Sequence, residues 1–113
     1  MQTIGNVVIF DIAGDDEEPY QGWAESNPQG YVANVGRHAR TKVYVHVASC
    51  AHIRSRVVAR DGFVGSDYYK VCSLDGQELV QWLEQENRAG RSGEVYEHSQ
   101  CHPGVVTNGA SLQ

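Results

Sequence analysis

The stretch that decides the fold runs Tyr31-Val32-Ala33-Asn34-Val35, Gly36-Arg37-His38-Ala39-Arg40-Thr41, Lys42-Val43-Tyr44-Val45-His46-Val47-Ala48. Its flanks are rich in β-branched residues, so two strands joined by a basic loop are expected. The second flank alternates. Val43, Val45 and Val47 face one way, and Lys42, Tyr44, His46 and Ala48 the other. The valine face is core. The opposite face is mixed, as on the open side of an antiparallel sheet.

Working outward, Asn6 to Ile12 reads as a first strand. Gly14-Asp15-Asp16 then opens a short helix with Tyr20, Trp23 and Ala24 as its buried stripe, and both tryptophans are expected in the core. Asn27-Pro28-Gln29-Gly30 is a type I turn. Beyond the hairpin, Arg54–Ala59 and Tyr68–Cys72 are further strand candidates. Asp75-Gly76-Gln77-Glu78 resembles a capping box and opens a helix through about Glu86, with Leu79, Val80, Trp82 and Leu83 on its apolar stripe. Tyr96 to Cys101 is a short strand or knuckle. The fold expected is α+β: a small, mostly antiparallel sheet with two helices and a C-terminal zinc knuckle. Residues 1–103 form the domain and 104–113 a flexible tail. No internal repeat or low-complexity tract is evident.

At 113 residues, with 41% hydrophobic and 20% charged residues, the chain makes one domain with a small core. No apolar run approaches the roughly 20 residues of a bilayer span, and the first ten residues lack a basic signal region, so a cytoplasmic protein is expected. The net charge of −5 is segregated. Residues 1–36 carry six acids and no Lys or Arg. Residues 37–60 carry six bases and no acid, and residues 61–113 carry eight acids against three bases. This balance argues against nonspecific coating of nucleic acid, whereas the basic block suits a local phosphate-facing patch or a solvated loop paired with the acidic segment.

Three cysteines cannot all pair with one another, which leaves metal binding or free thiols. Tetrahedral zinc takes four N or S ligands, and His98-Ser99-Gln100-Cys101 is a closely spaced pair. Cys50 and Cys72 each end an expected strand. Cys50, Cys72, His98 and Cys101 together make a Cys3His set, while the alternative is that Cys50 and Cys72 are small buried hydrophobes. On an extended strand His46 would stand about 13 Å from Cys50, so it is a poor ligand unless the chain turns at Ala48. His102 could replace His98; His52 is a weaker substitute.

Gly30-Tyr31-Val32-Ala33-Asn34, His46-Val47-Ala48-Ser49-Cys50-Ala51-His52-Ile53 and Tyr69-Lys70-Val71-Cys72-Ser73, followed by His98-Ser99-Gln100-Cys101, are taken together. In this order they resemble a small bacterial zinc-binding-like domain that occurs alone or appended to restriction-type nucleases. The resemblance covers residues 17–103. It implies Cys50, Cys72 and Cys101 as recurring cysteines, with His98 in place of the first cysteine of the ending. It departs where Val47 replaces the usual arginine. A bacterial defence or modification-sensing context and DNA as ligand are what it implies.

A closed four-ligand zinc is structural and activates no water, so a noncatalytic domain is expected. Neither a nucleotide-binding glycine loop nor a G-x-S-x-G motif is present. A Cys50 nucleophile paired with His46 or His52 competes with its role as ligand, and Glu78 has the simpler role of capping. Tyr31 and Tyr44 faintly resemble the paired tyrosine strands of GIY-YIG nucleases, with Arg54 or Arg56 for phosphate and Glu78 for metal, although the glycine of the second motif is absent. The leading expectation is nucleic-acid recognition through Arg37, Arg40, Lys42, Tyr44, His46, Arg54 and Arg56. The alternative is a protein-interaction module, favoured by the overall acidity.

Overall fold

A computed structural model of the chain describes residues 1–38, 40–50, 63–101 and 103–106. The expected strand Arg54–Ala59 lies outside them, as do His52, Arg54, Arg56 and His102.

The described residues form an α+β fold with strands β1 (Gln2–Ile4), β2 (Val7–Phe10), β3 (Tyr31–Gly36), β4 (Val43–Val47), β5 (Tyr68–Ser73) and β6 (Val95–Glu97). Helix α1 covers Glu17–Ser26 and α2 covers Gly76–Arg88. The strands build one sheet in the order β1-β2-β5-β3-β4-β6, in which every pairing is antiparallel except β4 with β6.

The valine alternation holds in three dimensions for two of its three members. Val43 and Val45 join Val7, Ile9, Ala33, Val35, Val71 and Val95 on one face, against Leu79, Val80 and Leu83 of α2. The other face places Phe10, Val32 and Cys72 beneath Tyr20 and Ala24 of α1, with Phe63 and Val64 closing the cluster. Trp23 and Trp82 are only partly buried at the margins of these clusters.

Local signals are answered at the start of α2. Asp75 Oδ1 accepts hydrogen bonds from the Gln77 and Glu78 amides, both at 3.1 Å, as a helix cap should. Glu78 does not complete the capping box. Its carboxylate instead accepts from the Asn6 backbone N–H (2.7 Å) and side-chain amide (3.1 Å). It thereby holds the Gly5-Asn6 turn of the β1–β2 hairpin, where Gly5 takes the left-handed φ of 60° that a side chain resists. That hairpin was missed because β1 is short and exposed.

Val105 and Val106 extend the domain past residue 103. Val106 is 4% exposed in the α2 cluster, and its N–H donates to Glu97 Oε2 at 3.1 Å. Of the tail expected over 104–113, Val105 and Val106 pack on this cluster, and residues 107–113 lie outside the described residues.

Among the described residues one lysine is buried. Lys70 lies on the α1 face, 4% exposed, and its Nζ donates to Asn34 Oδ1 and to the Phe63 carbonyl, both at 2.7 Å. Burial pulls its pKa down to about 8. Glu17 Oε1 accepts from the neighbouring Val64 N–H at 2.8 Å, so α1 and β5 both grip the Phe63–Val64 segment.

Candidate metal centre

Register builds the site. Across the α1 face, Val8 pairs with Cys72, Cys72 with Val32, and Val32 with His46. On the far side of β4, Val43, Tyr44 and Val45 pair with Val95, Tyr96 and Glu97 of the parallel strand β6. The His98 N–H continues that ladder by donating to the Val45 carbonyl at 2.9 Å. His46 and His98 therefore lie side by side, with ring centroids 4.2 Å apart and planes inclined by 26°.

Each strand then turns back to deliver a cysteine. β4 ends at Val47, and the Cys50 N–H donates to the Val47 carbonyl at 2.9 Å, closing a tight turn through Ala48 and Ser49. Ser99 and Gln100 turn the chain after His98 and bring up Cys101. Cys101 Sγ lies 3.6 Å from His98 Nδ1 and 4.0 Å from His46 Nδ1, and Cys50 Sγ lies 3.9 Å from His98 Nδ1. The ligand atoms of His46, Cys50, His98 and Cys101 all fall within 4.8 Å of one another. In a tetrahedral zinc site, bonds of about 2.0–2.3 Å set such separations at about 3.3–3.8 Å. The four side chains thus need only a small contraction, and the group could hold a metal ion.

The donor chemistry fits that use. Two thiols and two imidazoles suit a borderline-soft cation rather than calcium or magnesium. His46 is 5% exposed and Cys50 8%. Burial, with Cys50 alongside, raises the Cys101 thiol above its ordinary range. That shift is opposite to the one that activates a cysteine nucleophile, whereas coordination to a cation would remove the proton.

Three of the four ligands expected from sequence, Cys50, His98 and Cys101, meet here. Cys72 does not, and His46 takes its place. Val32 pairs with both Cys72 and His46, so two strand spacings, about 10 Å, separate them. Cys72 is fully buried against Phe10 and Tyr20, where burial pushes its thiol well up. It is the small core residue of the alternative reading. The condition attached to His46 is met, since the chain does turn at Ala48.

The expected binding residues divide. His46 points into the metal group rather than outward. Arg37 is exposed but committed: its Nε donates to the Gly65 carbonyl (2.9 Å), its Nη2 to the Asp11 carbonyl (2.8 Å), and its guanidinium lies 5.4 Å from the Tyr69 ring centroid. Arg40, Lys42 and Tyr44 are exposed. Lys42 Nζ stands 5.3 Å from the centroid of the Tyr96 ring, and Tyr44 and Tyr96 lie 6.0 Å apart, inclined by 32°.

Tyr96 was missed, yet a signal for it exists. Val43-Tyr44-Val45-His46-Val47-Ala48-Ser49-Cys50 and Val95-Tyr96-Glu97-His98-Ser99-Gln100-Cys101 are two copies of V-Y-x-H followed by a cysteine. Their paired register superposes valine on valine and tyrosine on tyrosine. The chain therefore does contain a short internal repeat, each copy supplying one histidine and one cysteine. The chain matches no protein family, no curated protein and no solved structure.

Proposed function

We propose that the protein is a noncatalytic recognition domain in which His46, Cys50, His98 and Cys101 hold a structural zinc, and which takes a single strand of DNA on the tyrosine face beside it. Two thiolates and a Zn²⁺ ion sum to zero charge, so the occupied site adds no net charge to a partly buried location. Four protein ligands leave no open position for a reactive water.

The observation that carries the binding reading is the Tyr44–Tyr96 pair. Tyr44 is 39% exposed, and the register places both tyrosines on the α1 face next to the two histidines. α1 itself packs on Phe10, Val32 and Cys72, toward β2, β5 and β3, and does not cover the β4–β6 margin. Aromatic rings stack with unpaired bases whatever their sequence, and Lys42 adds a cation for the backbone. The basic residues Arg54, Arg56 and Arg60 belong to a segment joined to the fold at Cys50 and Phe63, both in the α1-side cluster. The bacterial defence context implied by the sequence resemblance makes DNA the first ligand to test.

Zinc and binding are linked by the repeat. Each strand that presents a tyrosine also presents a histidine and a cysteine, so the metal ties β6 to β4 and keeps the two rings in register. The test is native mass spectrometry for one zinc per chain, followed by fluorescence anisotropy with a labelled oligonucleotide at low salt. Tyr44→Ala and Tyr96→Ala should each weaken binding by about 1–3 kcal/mol. Removal of zinc should abolish it. Absence of binding at low salt by the zinc-loaded protein would leave a protein partner as the reading.

A further inference from the structure

At the other end of these strands lies a cavity of about 520 Å³ between the β3–β4 loop and the segment linking α2 to β6, lined by Arg40, Lys42, Asn87, Ser92, Gly93 and Glu94, among others. Its lining is unusual in one respect. Ser92 is 4% exposed, and its hydroxyl has no hydrogen-bond partner among the described residues. A buried hydroxyl left alone costs about 1–3 kcal/mol, so a group retained in this state calls for an occupant that pairs with it. The Ser92 oxygen is sealed off as it stands, so the side chain must turn about its single torsion to meet such an occupant.

The charges say which kind. Arg40 and Lys42 have no ion-pair partner among the described residues. Glu94 is the one acid in the lining; its carboxylate accepts from the Tyr96 hydroxyl at 2.8 Å and keeps its negative charge, so Arg40 and Lys42 outweigh it by one. The end of α2 nearby would repel an anion if its last carbonyls were bare. Three of them, those of Gln85, Glu86 and Asn87, accept from the Ala89, Arg91 and Gly90 amides, which weakens that repulsion. Two cations against one carboxylate, a hydroxyl and the Asn87 side chain, which can donate, remain. An arginine fork, an ammonium and a hydroxyl are what a phosphate group requires.

The site is also held in place. A Cβ on Gly93 would come within 2.2 Å of the Thr41 carbonyl oxygen, so glycine lets the α2–β6 segment close against Arg40 and Thr41. The volume exceeds that of a phosphate ion and falls in the range of pockets that hold small organic ligands. Lys42 serves both places, lining the cavity and standing over the Tyr96 ring.

We infer that this cavity binds a phosphomonoester, the phosphorylated end of a nucleic-acid strand whose following bases stack on Tyr44 and Tyr96. The source of the phosphate rests on the strand-binding reading; the phosphate site itself does not. The experiment therefore uses inorganic phosphate first, titrated into zinc-loaded, ¹⁵N-labelled protein at constant ionic strength with chloride as the control. Saturable shifts are expected at the Lys42, Ser92 and Gly93 amides. Ser92→Ala should weaken phosphate about tenfold, the worth of one hydrogen bond to an anion, without lowering the melting temperature. Arg40→Ala should weaken it at least as much.

Chloride and phosphate giving the same shifts, or Ser92→Ala binding phosphate as the parent does, would overturn the site. A Ser92→Ala protein that melts lower would do the same, because it would show that the hydroxyl is already satisfied. The second arm compares oligonucleotides with a 5′-phosphate, a 3′-phosphate or hydroxyl ends. Tighter binding of one phosphorylated end, lost in Ser92→Ala, supports the strand-end source. Equal affinity for all three, with the inorganic phosphate shifts intact, overturns that source and leaves a free phosphate ester as the ligand. Retention of those shifts in Tyr44→Ala and Tyr96→Ala would separate this site from the stacking face.

Discussion

Replacing His46 and Cys72 in turn decides between two ligand sets, because they are the two residues on which the sequence reading and the tertiary structure disagree. Structural zinc contributes about 10–16 kcal/mol of apparent binding energy at neutral pH, so each of four ligands carries on average about 2.5–4 kcal/mol. His46→Ala should therefore weaken zinc by about 100-fold or more. It also removes the ring stacked 4.2 Å from His98 and opens a space in a residue that is 5% exposed. Cys72→Ala removes one buried sulfur and no ligand. Its cost is the lost apolar contact and a small cavity beneath Tyr20, about 1–2 kcal/mol, or roughly 5–10 °C in a domain of this size. The assay pairs zinc competition against a chromogenic chelator with thermal melts of the zinc-loaded proteins. Cys72→Ala should melt lower yet keep one zinc at parental affinity, whereas His46→Ala should release zinc to the chelator. A Cys72→Ala protein that loses zinc while His46→Ala retains it would refute the structural assignment and restore the set Cys50, Cys72, His98 and Cys101.

Three further outcomes are expected. Burial lowers the Lys70 pKa to about 8 in the folded chain, against 10.5 for a free lysine, so the unfolded chain holds the extra proton between those values and this group makes stability rise with pH across the window. Cys72, raised by burial above the 9.0 of a free thiol, acts oppositely, since the unfolded thiol ionises first and stability falls above that pH. Denaturant melts of Cys72→Ala should therefore show stability rising through Lys70 between pH 8 and 10, while the parent curve stays flatter; matching slopes would show that the two groups do not titrate as their burial implies. Gly93→Ala should destabilise by about 2–3 kcal/mol, because its methyl meets the Thr41 carbonyl at 2.2 Å and backbone must move; an unchanged melting temperature would contradict that contact. Glu78→Ala should cost about 1 kcal/mol and speed amide exchange in β1 and at Asn6, whose N–H it accepts, while α2, capped by Asp75, keeps its protection.

The parts of this protein that local chemistry controls are legible in the sequence. Alternation over Val43–Val47 marks a strand with one buried face, and Asp75 announces α2, because both signals act within a few residues. The pair His98 and Cys101 is legible for the same reason: two intervening residues on a turn bring both donors to one point. The strands β3, β4 and β5 and both helices follow from such signals, and so does the α+β class.

Tertiary pairing decided the rest. Whether His46 or Cys72 completes the metal group depends on which strand lies beside β6, and the 52-residue separation of His46 and His98 carries no local trace of that choice. Once β6 pairs in parallel with β4, the two V-Y-x-H segments fall into register, His46 meets His98, and Tyr44 meets Tyr96. Cys72 stands two strands away behind Val32. The repeat was present in the amino acids throughout, but a four-residue likeness acquires meaning only when backbone hydrogen bonds set its copies side by side. The turn at Ala48 then brings in Cys50, at a distance that an extended strand would have forbidden.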